Sequence, residues 1–238
     1  MVPPFPGGSA APNFIRTGRE DSSTAPSLLL KHNLTFRKAS FILESAEKYD
    51  FILEGIVQMD YFLQKVGGRP ARQAVTLRRC TPAEAPAVFA LQNEVRAAMP
   101  HPEQFVPDTL ENITGYLRTG VCIGAWQQGR LGAYLILRLC GQSSENYAAF
   151  LGVPQSQWQH WANADSAVVH PDWRGNGLQR AMLEAALPLL PPQIAHLGAT
   201  VSPDNSYSLH NAQASGFVIR CSREMYGGYD RYLLEKQL

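Results

Sequence analysis

The chain has 238 residues, 45% of them hydrophobic, and a formal net charge of +1. This hydrophobic content is typical of a globular protein with a sizeable core, and the near-zero charge gives no indication of nucleic acid or an anionic membrane as a partner. Because no uninterrupted apolar stretch reaches the ~18 residues of a membrane span and the N-terminus lacks a basic segment followed by an apolar one, we expect a cytoplasmic protein.

The N-terminal part differs in composition from the rest of the chain. Residues 1–26 are rich in Pro, Gly, Ser and Ala, which favours a disordered tail. Between residues 27 and 66, apolar side chains recur at the spacing of an amphipathic helix, among them Ile42, Ala46, Tyr49, Ile56, Met59 and Leu63. Gly67-Gly68-Arg69-Pro70 would end that helix. We therefore predict a helical extension and linker over residues 27–70, followed by an α/β domain over 71–238.

Strand and helix patterns alternate through the predicted domain. Thr81 and Glu84 form a capping box with Pro82 at the first helical position, which predicts a helix start. In chain order the pattern predicts a strand at 73–79, helices at 81–99 and 108–120, a hairpin of strands 121–126 and 131–139, a partly helical segment at 143–160, a strand at 161–169, a helix at 177–190, a strand at 195–201, a helix at 205–215, and strands at 217–225 and 231–235.

The most informative segment joins the strand at 161–169 to the helix at 177–190. It reads Arg174-Gly175-Asn176-Gly177-Leu178-Gln179. Two glycines at a helix start let the backbone approach a ligand closely, and the unpaired N–H groups and the dipole of the helix favour a diphosphate there. A tight turn without a ligand is the alternative. No Gly-Lys-Ser/Thr motif and no ribose-binding acid of a dinucleotide site accompany the loop.

These residues resemble the acetyl-CoA motif of the GNAT superfamily of N-acetyltransferases, which has the form Arg/Gln-x-x-Gly-x-Gly/Ala after a Val-x-Pro strand end. Arg174 and Gly177 match it, whereas its last position holds Gln179. A second match follows about one helix later, in Thr200-Val201-Ser202-Pro203-Asp204-Asn205, Ser208 and Gly216-Phe217. The resemblance covers about residues 74–238. It implies an α/β fold with a mixed, mostly antiparallel twisted sheet flanked by helices.

The resemblance also implies acetyl-CoA as co-substrate and assigns its contacts. Main-chain groups of Val168, Val169 and His170 would continue the strand pairing onto the pantetheine arm. Asn205 would bind a pantetheine amide, and Ser208 would face the cofactor tail. The pyrophosphate would be held by the N–H groups of Arg174, Gly175, Asn176, Gly177, Leu178 and Gln179, with the Arg174 side chain as a charge partner.

The expected reaction is acetyl transfer to a primary amine by direct attack in a ternary complex, on a small-molecule or peptide acceptor. Many family members use a Tyr and a Glu for proton transfer, and the matching positions here hold Ala212 and Thr200. Asp165 is the candidate base, and Tyr226 or Tyr229 the candidate acid. Each of these could instead be a solvated carboxylate or an ordinary packed aromatic.

The missing Tyr and Glu leave a second hypothesis open, that of a catalytically weak or inactive CoA-binding sensor or interaction module. A nucleotide-binding protein is a more remote one. The six His show no ligand spacing with Cys or acids, so no metal is expected. The four cysteines lack Cys-x-x-Cys spacing, which favours buried free thiols in a reducing compartment. We expect a monomer or a homodimer.

Overall fold

One eight-stranded sheet organises residues 58–238, the part of the chain that the computed structural model describes. The tail predicted for residues 1–26 and the helical extension up to residue 57 lie outside the described residues. The strands are β1 (Gln58–Val66), β2 (Arg69–Arg79), β3 (Val121–Gln127), β4 (Arg130–Arg138), β5 (Trp161–Val169), β6 (His196–Val201), β7 (Val218–Met225) and β8 (Tyr229–Gln237). Their spatial order is β1-β2-β3-β4-β5-β6-β8-β7.

The helices lie between these strands in the chain. They are α1 (Ala85–Ala97), α2 (Leu110–Thr119), α3 (Tyr147–Phe150), α4 (Leu178–Ala186) and α5 (Ser206–Ala214), together with short 3-10 helices at Pro82–Glu84, Pro102–Gln104, Gln155–His160, Pro171–Trp173 and Leu187–Leu189. Neighbouring strands pair antiparallel except β5 and β6, which are parallel. The predicted mixed, mostly antiparallel sheet with flanking helices is confirmed.

The helix and linker predicted up to residue 70 are wrong for residues 58–70. Residues 58–66 form strand β1, and Gly67 and Gly68, with φ of +56° and +76°, make a two-residue hairpin turn into β2. Met59 and Leu63 are four residues apart, which places them on one face of either a helix or a strand. The burial of Met59 and Leu63 and the partial burial of Tyr61 between them follow the period of a strand. The sheet therefore begins before the domain boundary predicted at residue 71.

Helix α4 is shorter than the helix predicted over 177–190. It ends at Ala186 and continues as the 3-10 turn Leu187–Leu189. Pro188 accounts for the early end, because proline donates no main-chain hydrogen bond and its ring clashes with the preceding turn. The helix predicted to start at Thr81 begins as the 3-10 turn Pro82–Glu84, which continues into α1 at Ala85. In the capping box, the Glu84 carboxylate accepts a 2.8 Å hydrogen bond from the Thr81 N–H.

The sheet is buried on both faces. On β4, Tyr134 and Ile136 pack with α1 and α2, whereas Leu135 and Leu137 pack with α4 on the opposite face, as the two-residue period of a strand requires. Among residues 58–238, no helix combines the length and the apolar character needed to cross a membrane.

Strands β5 and β6 stay paired over only part of their length. Trp161–Ala164 of β5 pair with His196–Ala199 of β6, and beyond this stretch the two strands share no pairing. Where the strands part, their facing main-chain groups have no strand partner. The register between β4 and β5 also shifts at this point, because Ile136 pairs with Ser166 and Leu137 with Ala164, leaving Asp165 as an extra bulged residue.

Candidate active site

A cavity of about 1410 Å³ opens where β5 and β6 part. It is bounded by α4, α5, the connection between α1 and α2, and the turn between β7 and β8. Pockets for one drug-sized ligand usually have about 300–1,000 Å³. This cavity therefore has room for an elongated ligand and a second reactant.

One end of the cavity is formed by the loop that precedes α4. Gly175 and Gly177 have φ of +73° and +70°, in the left-handed region that favours glycine. The first main-chain bond of α4 runs from Ala181 N–H to Gly177 O at 3.1 Å, and no side chain caps the helix. The N–H groups of the first turn are consequently not used within the helix and point toward the cavity end. Such an end suits an anion such as a diphosphate.

Nine of the eleven residues predicted to bind the cofactor line this cavity: Val168, Val169, Arg174, Gly175, Gly177, Leu178, Gln179, Asn205 and Ser208. His170 and Asn176 do not.

The His170 amide is already engaged, contrary to the expected contact with pantetheine. It donates to Gly132 O on the β4 side at 2.9 Å, and the imidazole Nε2 lies 3.1 Å from Glu94 Oε1 on α1. Because main-chain groups alternate in direction along an antiparallel strand, Val168 also turns its main-chain groups toward β4. The groups of Ala167 and Val169 therefore face the gap. Val169 O accepts a 3.3 Å bond from Arg174 Nε there.

The Asn176 side chain holds the loop to the β1–β2 hairpin. Its Oδ1 accepts from the N–H groups of Gln64 and Lys65 at 2.8 and 3.1 Å, and its Nδ2 donates to Lys65 O and Trp173 O at 2.8 and 2.9 Å. All four hydrogen-bonding positions of the amide are used. Asn176 can reach a ligand only through its main chain.

Trp173 anchors the same loop in the core. The indole is 3% exposed and lies against Gly132 of β4. A Cβ on Gly132 would come within 2.3–2.5 Å of three ring atoms. The glycine is thus required for the close approach of the tryptophan ring to the sheet.

Asn205 and Ser208 lie at the start of α5. Asn205 is the N-cap, and its Oδ1 accepts from the Ser208 N–H at 3.0 Å. Within the described residues the Asn205 Nδ2 has no hydrogen-bond partner, so it can donate to a ligand in the cavity.

Asp165 lines the middle of the cavity from the bulge in β5. Burial raises the pKa of its carboxyl to about 6, with a further rise from nearby Asp108 and an opposing effect of Arg138. Arg138 Nη1 lies 3.6 Å from Asp165 Oδ1 and also donates to Tyr116 Oη at 2.9 Å. The site thus contains a carboxylate that can accept a proton near neutral pH.

Tyr226 is held at the same place by two hydroxyl groups. Its Oη lies 2.8 Å from Tyr147 Oη and 3.0 Å from Thr200 Oγ1. Burial raises the pKa of Tyr226, so the phenol stays protonated at neutral pH. Its φ of +56° is uncommon for a bulky residue and indicates a backbone held by its surroundings. Tyr229 does not line the cavity, and its position gives no support to a proton-donor role.

The sequence patterns did not single out Tyr147, Arg138 or Asp108, although all three line the cavity. Tyr147 opens α3 inside the long polar connection between β4 and β5, and only the N-cap Asn146 marks that helix in the sequence. Arg138 is the last residue of the apolar strand β4, where a charged residue usually means only that the strand ends. No set of three or more His, Cys, Asp or Glu side chains within residues 58–238 is placed to hold a metal ion.

Comparison with known proteins gives one family. A profile described as Acetyltransferase (GNAT) domain matches residues 74–218. The search of curated proteins gave no match.

Several solved structures share the fold with TM-scores above 0.5. A GNAT-family acetyltransferase from Streptococcus pneumoniae has 20% identity over 69% of this chain and 99% of its own, with a TM-score of 0.53. The ribosomal-protein-alanine N-acetyltransferase of Brucella melitensis has 20% identity over 68% and 99%, with a TM-score of 0.52. The yncA protein of Salmonella typhimurium, solved with its cofactor acetyl-CoA, has 15% identity over 69% and 94%, with a TM-score of 0.51.

Proposed function

Because the chain belongs to the GNAT family of acetyltransferases, we propose that it moves the acetyl group of acetyl-CoA directly to a primary amine in a ternary complex. The observation that carries this proposal is the continuity of one cavity. It runs from the unused N–H groups of the α4 N-terminus, through the gap between β5 and β6, to Asp165 and Tyr226.

The residues at the loop end fit the phosphorylated part of acetyl-CoA. The two left-handed glycines and the free first turn of α4 supply N–H donors for the diphosphate. Main-chain groups of Ala167 and Val169 would pair with the pantetheine amides, and Asn205 Nδ2 would donate to one of their oxygens. The Salmonella typhimurium neighbour, which has the same fold, was solved with acetyl-CoA.

Asp165 and Tyr226 are the proposed base and acid of the reaction. The amine nitrogen forms a bond to the acetyl carbon, and its proton passes to the Asp165 carboxylate, directly or through one water. The carbon–sulfur bond breaks, and the Tyr226 hydroxyl gives its proton to the leaving thiolate. Tyr147 and Thr200 hold that hydroxyl in place through their own hydroxyls. Alignment of the two substrates supplies a further part of the rate.

The acceptor end of the cavity is suited to a cationic amine. Asp108, Glu145, Asp165 and Asp204 line the cavity, and Arg138 and Arg231 offset only part of their charge. A protonated amine would be drawn to these carboxylates, and it would release one proton to solvent before the neutral amine attacks. The Brucella melitensis neighbour is named for transfer to an alanine amine of a ribosomal protein, so both peptide and small-molecule amines belong in the test.

Purified protein incubated with acetyl-CoA and a panel of amines tests the proposal, with release of free thiol as the readout. The panel should contain polyamines, amino sugars and short peptides with free N-termini. We expect thiol release that depends on one amine class and falls about 10²-fold or more in Asp165→Asn. Acetyl-CoA binding without release across the panel would favour the second hypothesis, a CoA-binding sensor, which Ala212 and Thr200 at the usual Tyr and Glu positions motivate.

A further inference from the structure

The Lys65 side chain lies directly over Gly175, the first glycine in the loop that precedes α4 (residues 174–177, here called the cofactor loop). A Cβ built on Gly175 would come within 2.5 Å of Lys65 Cε and 2.6 Å of Lys65 Nζ. Both residues line the cavity. None of the ion pairs formed among residues 58–238 includes Lys65. An exposed ammonium group without a carboxylate partner therefore stands at the loop.

The main chain of Lys65 is fixed relative to that loop. Asn176 makes three of its hydrogen bonds to Gln64 and Lys65. Tyr61 Oη donates to Asn176 O at 2.5 Å, and Gly67 N–H donates to Asp172 O at 2.8 Å. The hairpin and the loop are thus one hydrogen-bonded unit, and the reach of Lys65 is limited to the region around Gly175.

Two other cations lie near the loop. Arg180 lies 3.9 Å from Glu184, and Arg174, which forms no ion pair among the described residues, donates from Nε to Val169 O. Lys65 is the cation placed above the glycine where the backbone allows the closest approach of a ligand. An ammonium group with three donors at this point complements main-chain N–H groups that face a diphosphate.

We propose that Lys65 binds the diphosphate of acetyl-CoA, so that strand β1, which precedes the family match at residues 74–218, is part of the cofactor site. The inference rests on the proposed acetyl-CoA site. It gives a binding role to a strand whose sequence alone predicted a helix.

Calorimetric titrations of Lys65→Met with CoA, 3′-dephospho-CoA and pantetheine test the proposal. The methionine keeps the length of the side chain and removes its charge. Affinity for CoA and for 3′-dephospho-CoA should each fall about tenfold, as expected for the loss of one charge-assisted hydrogen bond. Affinity for pantetheine, which has no diphosphate, should not change. The dependence of CoA affinity on salt concentration should weaken in the variant.

Lys236→Met is the matched control, because Lys236 does not line the cavity, and its CoA affinity should equal that of the unmodified protein. Equal CoA affinity of Lys65→Met and the unmodified protein would overturn the proposal. A loss seen with CoA but not with 3′-dephospho-CoA would also overturn it, since it would place Lys65 on the 3′-phosphate. An unmodified protein that binds no CoA would instead refute the proposed function itself.

Discussion

The surroundings of Asp165 raise the pKa of its carboxyl toward neutral pH. Its pKa of about 6 follows mainly from burial in the bulge of β5. If Asp165 is the base, the reaction needs its ionised form, so kcat should fall as the pH drops below about 6. Asp165→Asn should lower kcat by about 10²-fold or more and remove this limb of the pH profile. Steady-state rates between pH 5 and pH 9 at saturating amine measure both effects.

If kcat of Asp165→Asn still fell below about pH 6 as in the unmodified protein, another group would be the one that accepts the proton. Glu145→Gln is a useful comparison, because Glu145 lines the same cavity and contacts Arg138 but is far more exposed, with 70% of its side chain accessible. We expect Glu145→Gln to raise the KM for a cationic amine while leaving the shape of the kcat profile intact.

Tyr226 and Tyr229 are separated by geometry although they are close in sequence. The two side chains are exposed to a similar extent, but the Tyr226 hydroxyl lies in the cavity beside Tyr147 and Thr200, whereas Tyr229 does not line it. Tyr226→Phe should therefore lower kcat by about 10²-fold with a smaller effect on KM, and Tyr229→Phe should leave kcat unchanged. Equal losses in the two variants, measured by thiol release, would contradict the assignment of Tyr226 as the acid.

At the scale of elements, the contact between β4 and the cofactor loop depends on Gly132, which has no side chain to displace the Trp173 ring. Gly132→Ala places a methyl group within 2.5 Å of the Trp173 ring, and the tryptophan must move. Overpacking of this kind costs about 1–3 kcal/mol of unfolding free energy. Because Trp173 immediately precedes Arg174 and Gly175, we also expect weaker CoA binding. Urea unfolding and calorimetric titration measure the two effects.

Gly115→Ala is the matched control for that substitution. Gly115 lies inside α2, and no atom comes within 4 Å of a Cβ built there. Alanine in a helix interior is worth about 0.5–1 kcal/mol relative to glycine, so this variant should be more stable than the unmodified protein. A Gly132→Ala protein as stable as Gly115→Ala would show that Trp173 is not tightly packed.

Elements with clear end signals could be predicted from the sequence, and β1 could not. The Thr81–Glu84 capping box predicted the turn Pro82–Glu84 that leads into α1, and the apolar strand β5 ended where it was expected at Val169. In β1, the spacing of Met59 and Leu63 fits both a helix and a strand. The pairing with β2 makes this segment a strand, and it involves residues up to 20 positions away, such as Gln58 with Arg78. Tertiary pairing overrode the local pattern.

At the scale of the whole molecule, the cofactor end and the acceptor end differed in how far they could be predicted. The proposed cofactor contacts lie mostly in one continuous segment, Arg174 to Gln179, and a local motif describes them. The acceptor end combines side chains from separate elements, including Arg138, Tyr147, Asp165 and Tyr226. Their mutual placement arises from the sheet order and from the bulge at Asp165. No sequence spacing encodes it.

The Asp165 carboxylate should make the folded protein less stable at neutral pH. The pKa of Asp165 is raised in the folded state from its ordinary value of 3.8 to about 6, so the folded state holds the proton more tightly than the unfolded chain. The stabilisation that the folded state gains from protonated Asp165 is fully present below about pH 4 and is lost as the pH rises through about 6. A shift of this size corresponds to roughly 3 kcal/mol at most.

Asp165→Asn keeps a neutral side chain of the same shape at every pH. It should therefore raise the unfolding free energy at pH 7 by about 1–3 kcal/mol and flatten its dependence on pH between 4 and 6. Arg138 keeps its contacts with Glu145 and Tyr116 in this variant. Asp230→Asn, at an exposed position, removes the same charge and should change little. Urea unfolding across this pH range measures the difference. An Asp165→Asn protein that is inactive and more stable would mean that folding free energy is given up for catalysis at this position, whereas a less stable one would mean that the pair with Arg138 outweighs the cost of burial.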